Sequence, residues 1–234
     1  MFEPYQFHVT EGLPVYTLAE CLGGEAPEMV AEIPDMLQHF RAVLLFCDAE
    51  ELAFLHNAAA LTAQRAPWDG QHGAEFMAFS VNRYAFLFRE GEAYHLVLPQ
   101  ELLDIFEEVT AAAGFARQNE RGVKLRYYAD ALVELYGIYD IAQFAAVWNQ
   151  HQKDKIALDE AVPFLQDVMC FQAQFFVEDE RILHDYFMEL NNDEIDAFLA
   201  RGQDIPYYMP TKRVLKTAHD KLYDRYKASP AQVN

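Results

Sequence analysis

The sequence predicts a mainly α-helical protein, with a winged-helix-like α+β unit first and an irregular helical bundle after it. Three observations predict this fold class: apolar residues recur at helical spacing along most of the chain, one pair of segments has the pattern of a β-hairpin, and a polar stretch separates two parts. We place the α+β unit at residues 1–116, a polar linker at 115–122 and the helical domain at 123–228. A chain of 234 residues can bury one large core or two small ones.

Three helical stretches are expected before residue 65. Thr17 can cap the first, a short helix, through its side-chain oxygen. The second covers residues 27–40, and Pro34 is expected to interrupt it because proline lacks an amide hydrogen. Asp48 begins the third and strongest helix, because Glu51 stands three residues later, as in a capping box.

The only clear β signal lies further along the same unit. Two aromatic and β-branched runs, 84–88 and 93–98, flank a turn with the sequence REGE, which predicts a hairpin. The apolar face of this hairpin must pack on helices, since an isolated two-stranded hairpin is marginally stable. A helix follows at residues 100–113, with Pro99 at its first turn. Helices followed by a hairpin and another helix are typical of a winged helix.

The charge pattern disfavours nucleic-acid binding through this unit. The formal net charge of the chain is −19, and residues 1–120 contain 19 acidic residues, five arginines and no lysine. The helix that would enter a DNA groove begins with Asp48, Glu50 and Glu51. Phosphate contacts from basic residues supply most non-specific DNA affinity. We therefore expect a structural or protein-binding wing, and an acidic surface that serves solubility or meets a basic partner.

The chain is expected to be cytoplasmic and without a membrane segment. Its first residues, MFEPYQFHV, lack the basic start of a signal peptide, and no apolar run approaches the ~18 residues of a membrane span. Cys21, Cys47 and Cys170 are odd in number and far apart. They are therefore expected to be reduced and mostly buried thiols.

From residue 123 the sequence predicts helices joined by turns. Asp140 and Gln143 have the spacing of a capping box for the second of these helices. The expected helices cover residues 123–136, 140–150, 158–176, 179–190, 193–200 and 211–227.

One loop in this part has the outline of a calcium-binding loop without its ligands. Asn149 falls at the first position, where the loop prefers a carboxylate, and Glu160 fits the last position. Lys153 and Lys155 replace oxygen ligands, and Asp154 stands where the loop requires glycine. Lysines repel a divalent cation, so we expect a structural hairpin, no metal site and no cofactor.

The segments LYGIYDIAQF and KIALDE, with the tyrosine- and proline-containing stretch at 193–211, carry a family resemblance. They resemble a loose group of uncharacterised, mostly Gram-positive bacterial helical proteins, some of which carry a SEC-C zinc tail. The resemblance covers roughly residues 83–215. It implies no known activity and no functional residues, and the final residues, KASPAQVN, lack the cysteines of a zinc tail.

Two neighbouring features favour a protein partner. Tyr207 and Tyr208 lie between two prolines, and they are expected either to fill the helical core or to form a partly exposed contact surface. The final helix is the only basic segment, with Lys212, Arg213 and Lys216 near its start. It can contact the acidic body within the chain or in a homodimer, or it can meet an acidic partner.

The leading hypothesis is a non-catalytic, acidic protein-interaction or regulatory module. One alternative is a hydrolase-like enzyme without a sequence motif, whose carboxylate/His site would bring together Asp179, His184 and Asp185. A second alternative is a nucleic-acid-associated regulator that uses only the basic C-terminal helix.

Overall fold

The computed structural model describes residues 8–25, 27–171, 174–190, 192–202 and 207–228. These residues are mainly helical, so the predicted fold class is confirmed at this level. The chain divides into two compact units, Met1–Val123 (unit 1) and Lys124–Asn234 (unit 2).

The helices and strands are numbered in chain order. Unit 1 contains β1 (Val9–Glu11), α1 (Leu18–Glu25), α2 (Ile33–Leu44), α3 (Ala49–Gln64), α4 (Gly73–Val81), β2 (Phe86–Glu90), β3 (Ala93–Val97) and α5 (Gln100–Ala111). Helix α6 (Phe115–Tyr136) runs across the division into unit 2. Unit 2 contains β4 (Ile138–Asp140), α7 (Ile141–His151), α8 (Leu158–Phe171), β5 (Phe175–Glu178), β6 (Arg181–His184), α9 (Asn192–Gly202) and α10 (Lys212–Ala228). Within the part of the chain that the structure describes, 3-10 helices cover Pro27–Glu32 and Asp185–Glu189.

Helix α3 begins as its sequence predicts. The carboxylate of Asp48 accepts hydrogen bonds from the amides of Glu50 and Glu51, both at 2.9 Å. The carboxylate of Glu51 accepts from the amide of Asp48 at 2.7 Å, which completes the capping box. The expected interruption near Pro34 is confirmed, because the stretch 27–40 is divided into the 3-10 helix Pro27–Glu32 and α2. Pro34 lies in the first turn of α2, where a missing amide hydrogen costs nothing.

The predicted hairpin is confirmed as β2 and β3, which pair antiparallel with Leu87 opposite Leu96. A third strand, β1, pairs parallel with β2 and was not predicted. Thr62 of α3 holds the end of β3, since its hydroxyl accepts from the amide of Leu98 at 3.0 Å. The winged-helix likeness of unit 1 is not confirmed by this arrangement.

The predicted linker at 115–122 is wrong, because these residues form the first turns of α6. Their polar side chains make packing contacts instead. The Asn119 side-chain amide donates to the carbonyls of Leu44 and Cys47, at 3.1 and 2.8 Å, and so binds the open carbonyls at the end of α2. Gly122 lets α6 approach closely, since a Cβ atom there would lie 2.0 Å from the carbonyl oxygen of Leu45.

The helix predicted at 179–190 is also wrong. These residues belong to a second hairpin, β5–β6, and the 3-10 helix Asp185–Glu189. Its turn has Asp179 and Glu180 in the left-handed conformation, with φ of 46° and 62°. Left-handed turns usually contain glycine or asparagine, so the sequence carried no turn signal here. Strand β4 pairs with β6, and the order β4–β6–β5 gives unit 2 a sheet where only helices were expected.

The free cysteines agree with the expected mostly buried state. Cys21 and Cys47 are buried, and Cys170 is exposed. Although Cys170 is exposed overall, partial burial of its thiol and the nearby charge of Asp167 raise the thiol pKa, which reduces the thiolate fraction at neutral pH.

The close approach at Gly122 yields a stability prediction. Gly122→Ala places a methyl group against the main chain of Leu45, which cannot move away as a side chain can. We expect the free energy of unfolding to fall by about 2 kcal/mol or more, as for overpacked cores. Urea unfolding followed by circular dichroism measures the change. Gly23→Ala is the matched control, because nothing lies within 4 Å of its added Cβ atom, and an unchanged Gly122→Ala midpoint would contradict the packing account.

Candidate functional site

In the loop between α7 and α8, the ammonium group of a lysine binds carbonyl oxygens of the loop itself. The Lys155 ammonium group donates to the carbonyl oxygen of Asn149 and, at 2.9 Å, to that of Gln152. The Asn149 side chain closes the loop by donating to the carbonyl of Ile156 and accepting from its amide, each at 2.9 Å. The Lys155 ammonium group thus binds carbonyl oxygen atoms of the kind that bind metal ions. Among the described residues, no group of histidine, cysteine and carboxylate side chains could hold a metal ion.

Asp140 stands at the start of α7, but its side chain does not cap the helix. The predicted capping box is wrong, because Gln143 donates to the Tyr136 hydroxyl at 3.3 Å and Asp140 is engaged elsewhere. The Tyr207 hydroxyl donates to the Asp140 carboxylate and accepts from the Asp140 amide, both at 3.2 Å. The guanidinium of Arg181 lies 3.8 Å from the same carboxylate. Asp140 therefore fixes the position of Tyr207.

Residues 207–210, the tyrosine segment, are held by side chains of α6 and α7. The Tyr136 hydroxyl donates to the carbonyl oxygen of Tyr208. The Nε2 atom of His151 lies 2.7 Å from the carbonyl oxygen of Pro210, to which it can donate. The rings of Tyr136 and Tyr207 pack with their centroids 5.4 Å apart. Burial raises the pKa values of both Tyr136 and Tyr207, so both hydroxyls stay protonated donors at neutral pH.

The side chains of this segment face solvent to a large extent. Tyr207 is 42% exposed, Tyr208 57% and Met209 42%. The expectation that the two tyrosines fill the helical core is therefore wrong, and Trp148, Tyr139 and Phe144 are among the side chains that fill it. The exposure agrees with the alternative expectation of a partly exposed surface, and partner binding by these residues stays a prediction.

Helix α10 follows the tyrosine segment directly. Its apolar residues Leu215, Ala218 and Leu222 are buried, while Lys212 and Arg213 are exposed. Lys216 is also exposed, but its ammonium group pairs with Asp220 at 2.6 Å within the helix. Lys212 and Arg213 thus give a basic end to the segment, whereas Lys216 contributes less net charge than its sequence position indicates.

A histidine joins α10 to α6. The ring of His219 packs against Tyr127, with centroids 4.3 Å apart. Burial is the largest effect on His219 and lowers its pKa. The nearby charge of Asp220 opposes this decrease, and the weaker effects of Arg126 and Lys216 lower the pKa again. His219 is therefore neutral at pH 7, and α10 packs on α6 without burying a charge.

The residues proposed for an enzyme do not come together. His184 and Asp185 are neighbours at the end of β6, and the His184 Nδ1 atom accepts from the amide of Tyr186 at 3.1 Å. Asp179 lies in the turn at the opposite end of β6, which is roughly 13 Å away at about 3.3 Å per strand residue. The structure therefore places His184 and Asp185 next to each other and Asp179 at a distance from both.

Sequence reasoning missed an apolar groove in unit 2. We call it the aromatic groove, and it lies between the 3-10 helix Asp185–Glu189 and α9. Its volume is about 410 Å³, and it is lined by Tyr186, Phe187, Leu190, Glu194, Ala197 and Phe198. The groove was missed because the incorrect helix prediction at 179–190 assigned Tyr186 and Phe187 to a regular helix face.

Comparisons with protein-family profiles, with curated proteins and with solved structures found no significant match to this chain. The resemblance to the Gram-positive group therefore stays a prediction. Among the described residues, no helix combines the length and apolar character that crossing a membrane requires.

Hydrogen exchange can test whether the Tyr136 hydroxyl holds the tyrosine segment in place. Tyr136→Phe removes the hydroxyl that donates to Tyr208 and keeps the ring. Losing a hydrogen bond of about 1 kcal/mol should raise amide exchange across residues 207–211 about five-fold. Mass spectrometry of the corresponding peptide measures the rate. Tyr186→Phe, in the aromatic groove, is the matched control, and equal rates in both variants would show that Tyr136 does not hold the segment.

Proposed function

We propose that the protein is a non-catalytic protein-interaction module, and that the tyrosine segment of unit 2 is the centre of its binding surface. One observation carries this proposal: three consecutive large side chains, at Tyr207, Tyr208 and Met209, are exposed on a backbone that Tyr136 and His151 hold in place. Binding hot spots are typically aromatic, and little entropy is lost on binding when their position is fixed beforehand.

The charge beside the segment indicates the chemistry of the partner. Lys212 and Arg213 are exposed directly after the apolar side chains, on a chain whose net charge is −19. A partner segment with apolar side chains followed by carboxylates would meet the tyrosines and the basic pair together. Opposite charges at the edge of an interface fix orientation and speed association more than they add affinity.

We assign unit 1 a supporting role, as a winged-helix-like unit that does not contact DNA. Two features support this assignment. The first turn of α3 carries Glu50 and Glu51, which repel phosphates. The other end of α3 is engaged with the hairpin, where Thr62 accepts from the amide of Leu98.

Capture of a partner from native cell lysate tests the proposal. The double variant Tyr208→Ala with Met209→Ala removes exposed side chains, and it leaves the main-chain carbonyl that Tyr136 binds. We expect a stoichiometric partner on the wild-type protein and at least a tenfold loss on the variant, equivalent to about 1.4 kcal/mol. Quantitative mass spectrometry of the captured proteins measures both.

Leu158→Ala is the matched control, because Leu158 is an apolar residue of unit 2 with a similar exposure of 50%. It should retain the partner in full. Recovery of the same partner by the double variant at wild-type levels would contradict the assignment of the surface. A lysate without any specific partner, at low and high salt, would contradict the function itself.

A further inference from the structure

The aromatic groove is a second exposed apolar surface of unit 2, and its shape is fixed by packing from below. Phe187 forms its floor and is almost fully buried against Ile138 and Leu183. The Phe187 ring contacts Phe198 and Tyr186 edge to face, with centroids 5.1 and 5.8 Å apart. These contacts hold the two walls of the groove at a defined distance.

The walls are open to solvent. Tyr186 is 66% exposed, Phe198 is 45% exposed, and Met188 on the same 3-10 helix is 71% exposed. Exposed apolar side chains are ordinary when they are scattered, but a contiguous group that lines a groove marks an interaction site. A volume of about 410 Å³ accommodates one or two large apolar side chains.

The surroundings of the groove are strongly acidic. Residues 185–202, which span the 3-10 helix and α9, contain five acidic residues, one arginine and no lysine. Glu194 lines the groove, and Glu189 and Asp193 are exposed on the 3-10 helix and on α9. That arginine, Arg201, lies in the last turn of α9. The groove therefore combines an apolar floor with a negatively charged rim.

We infer that the aromatic groove binds a basic segment of a partner protein, which inserts large apolar side chains between Tyr186 and Phe198 and places lysines or arginines against Glu189, Asp193 and Glu194. The inference rests on the proposed function as an interaction module, and it adds a second surface with its own partner chemistry. An amphipathic helix is the segment that presents apolar and basic faces at this spacing. Acidic peptides and nucleic acids are repelled by the same rim.

A defined peptide probe tests the inference on the full chain. The probe is a fluorescein-labelled peptide about 18 residues long, with leucines at i, i+3, i+4 and i+7 and lysines elsewhere. Fluorescence anisotropy at about 0.15 M salt measures its affinity. We expect binding by the wild-type protein, and at least about tenfold weaker binding by Ala197→Trp, which fills the groove. Tyr186→Ala should weaken binding similarly, and circular dichroism verifies that both variants are folded.

Two controls separate a specific groove from the general attraction of a polycation to an acidic protein. Neutralising Glu189, Asp193 and Glu194 to the corresponding amides should weaken binding and flatten its salt dependence. Neutralising three exposed glutamates of unit 1, Glu28, Glu50 and Glu92, removes the same charge and should leave binding unchanged. Equal binding by a peptide of the same composition with scattered leucines, or by Ala197→Trp, would overturn the inference.

The outcomes also distinguish this surface from the tyrosine segment. Peptide binding that persists in the Tyr208→Ala, Met209→Ala variant supports a separate groove, even if that variant loses its lysate partner. A lysate partner that depends on Tyr208, without any peptide binding, would overturn the groove inference alone. Displacement of the probe by a peptide of residues 212–228, together with dimerisation of the chain, would identify a second copy as the occupant and overturn the assignment to a foreign partner.

Discussion

The pairing of a three-residue strand, β4, with β6 positions both exposed surfaces of unit 2. The amide of His184 donates to the carbonyl of Gly137 at 2.8 Å, and the amide of Ile141 donates to that of Glu180 at 2.9 Å. Asp140, at one end of β4, holds Tyr207 of the tyrosine segment. Just before the other end, Gly137 lies against the Phe187 ring that forms the floor of the aromatic groove. A shift of this short strand would therefore displace both surfaces.

The exposed aromatic side chains contribute little to folding stability, because the core of unit 2 is filled by others, including Trp148, Tyr139 and Phe144. The tyrosine segment is held mainly by hydrogen bonds, each of which contributes about 1 kcal/mol. The exposed ion pair between Lys216 and Asp220 of α10 adds less still. A rigid backbone with exposed rings next to charges of one sign is the arrangement that a binding surface requires. Folding does not require it. The two surfaces differ in that charge, which is basic beside the tyrosines and acidic around the groove.

Local rules predicted the elements that depend on neighbouring residues, and they failed where distant contacts decide the structure. Asp48 forms its capping box with the neighbouring residues Glu50 and Glu51, whereas Asp140 has the same spacing but binds a tyrosine far along the chain. The β5–β6 turn escaped prediction because Asp179 and Glu180 adopt left-handed conformations without a glycine. Gly122 resembled part of a linker, although its role is close packing. The sequence left open whether Tyr207 and Tyr208 are buried or exposed, because their exposure depends on tertiary packing that no local pattern encodes.

The most direct test of this account is hydrogen exchange in Gly137→Ala. Gly137 has a φ of 73°, and an alanine there is strained by about 1 kcal/mol as well as crowded by the Phe187 ring at 3.4 Å. If β4 positions both surfaces, exchange should accelerate together at residues 185–190 and 207–211, while the β2–β3 hairpin of unit 1 keeps its wild-type rates. Faster exchange in β4 and β6, with unchanged rates at the tyrosine segment and at the groove, would contradict the account.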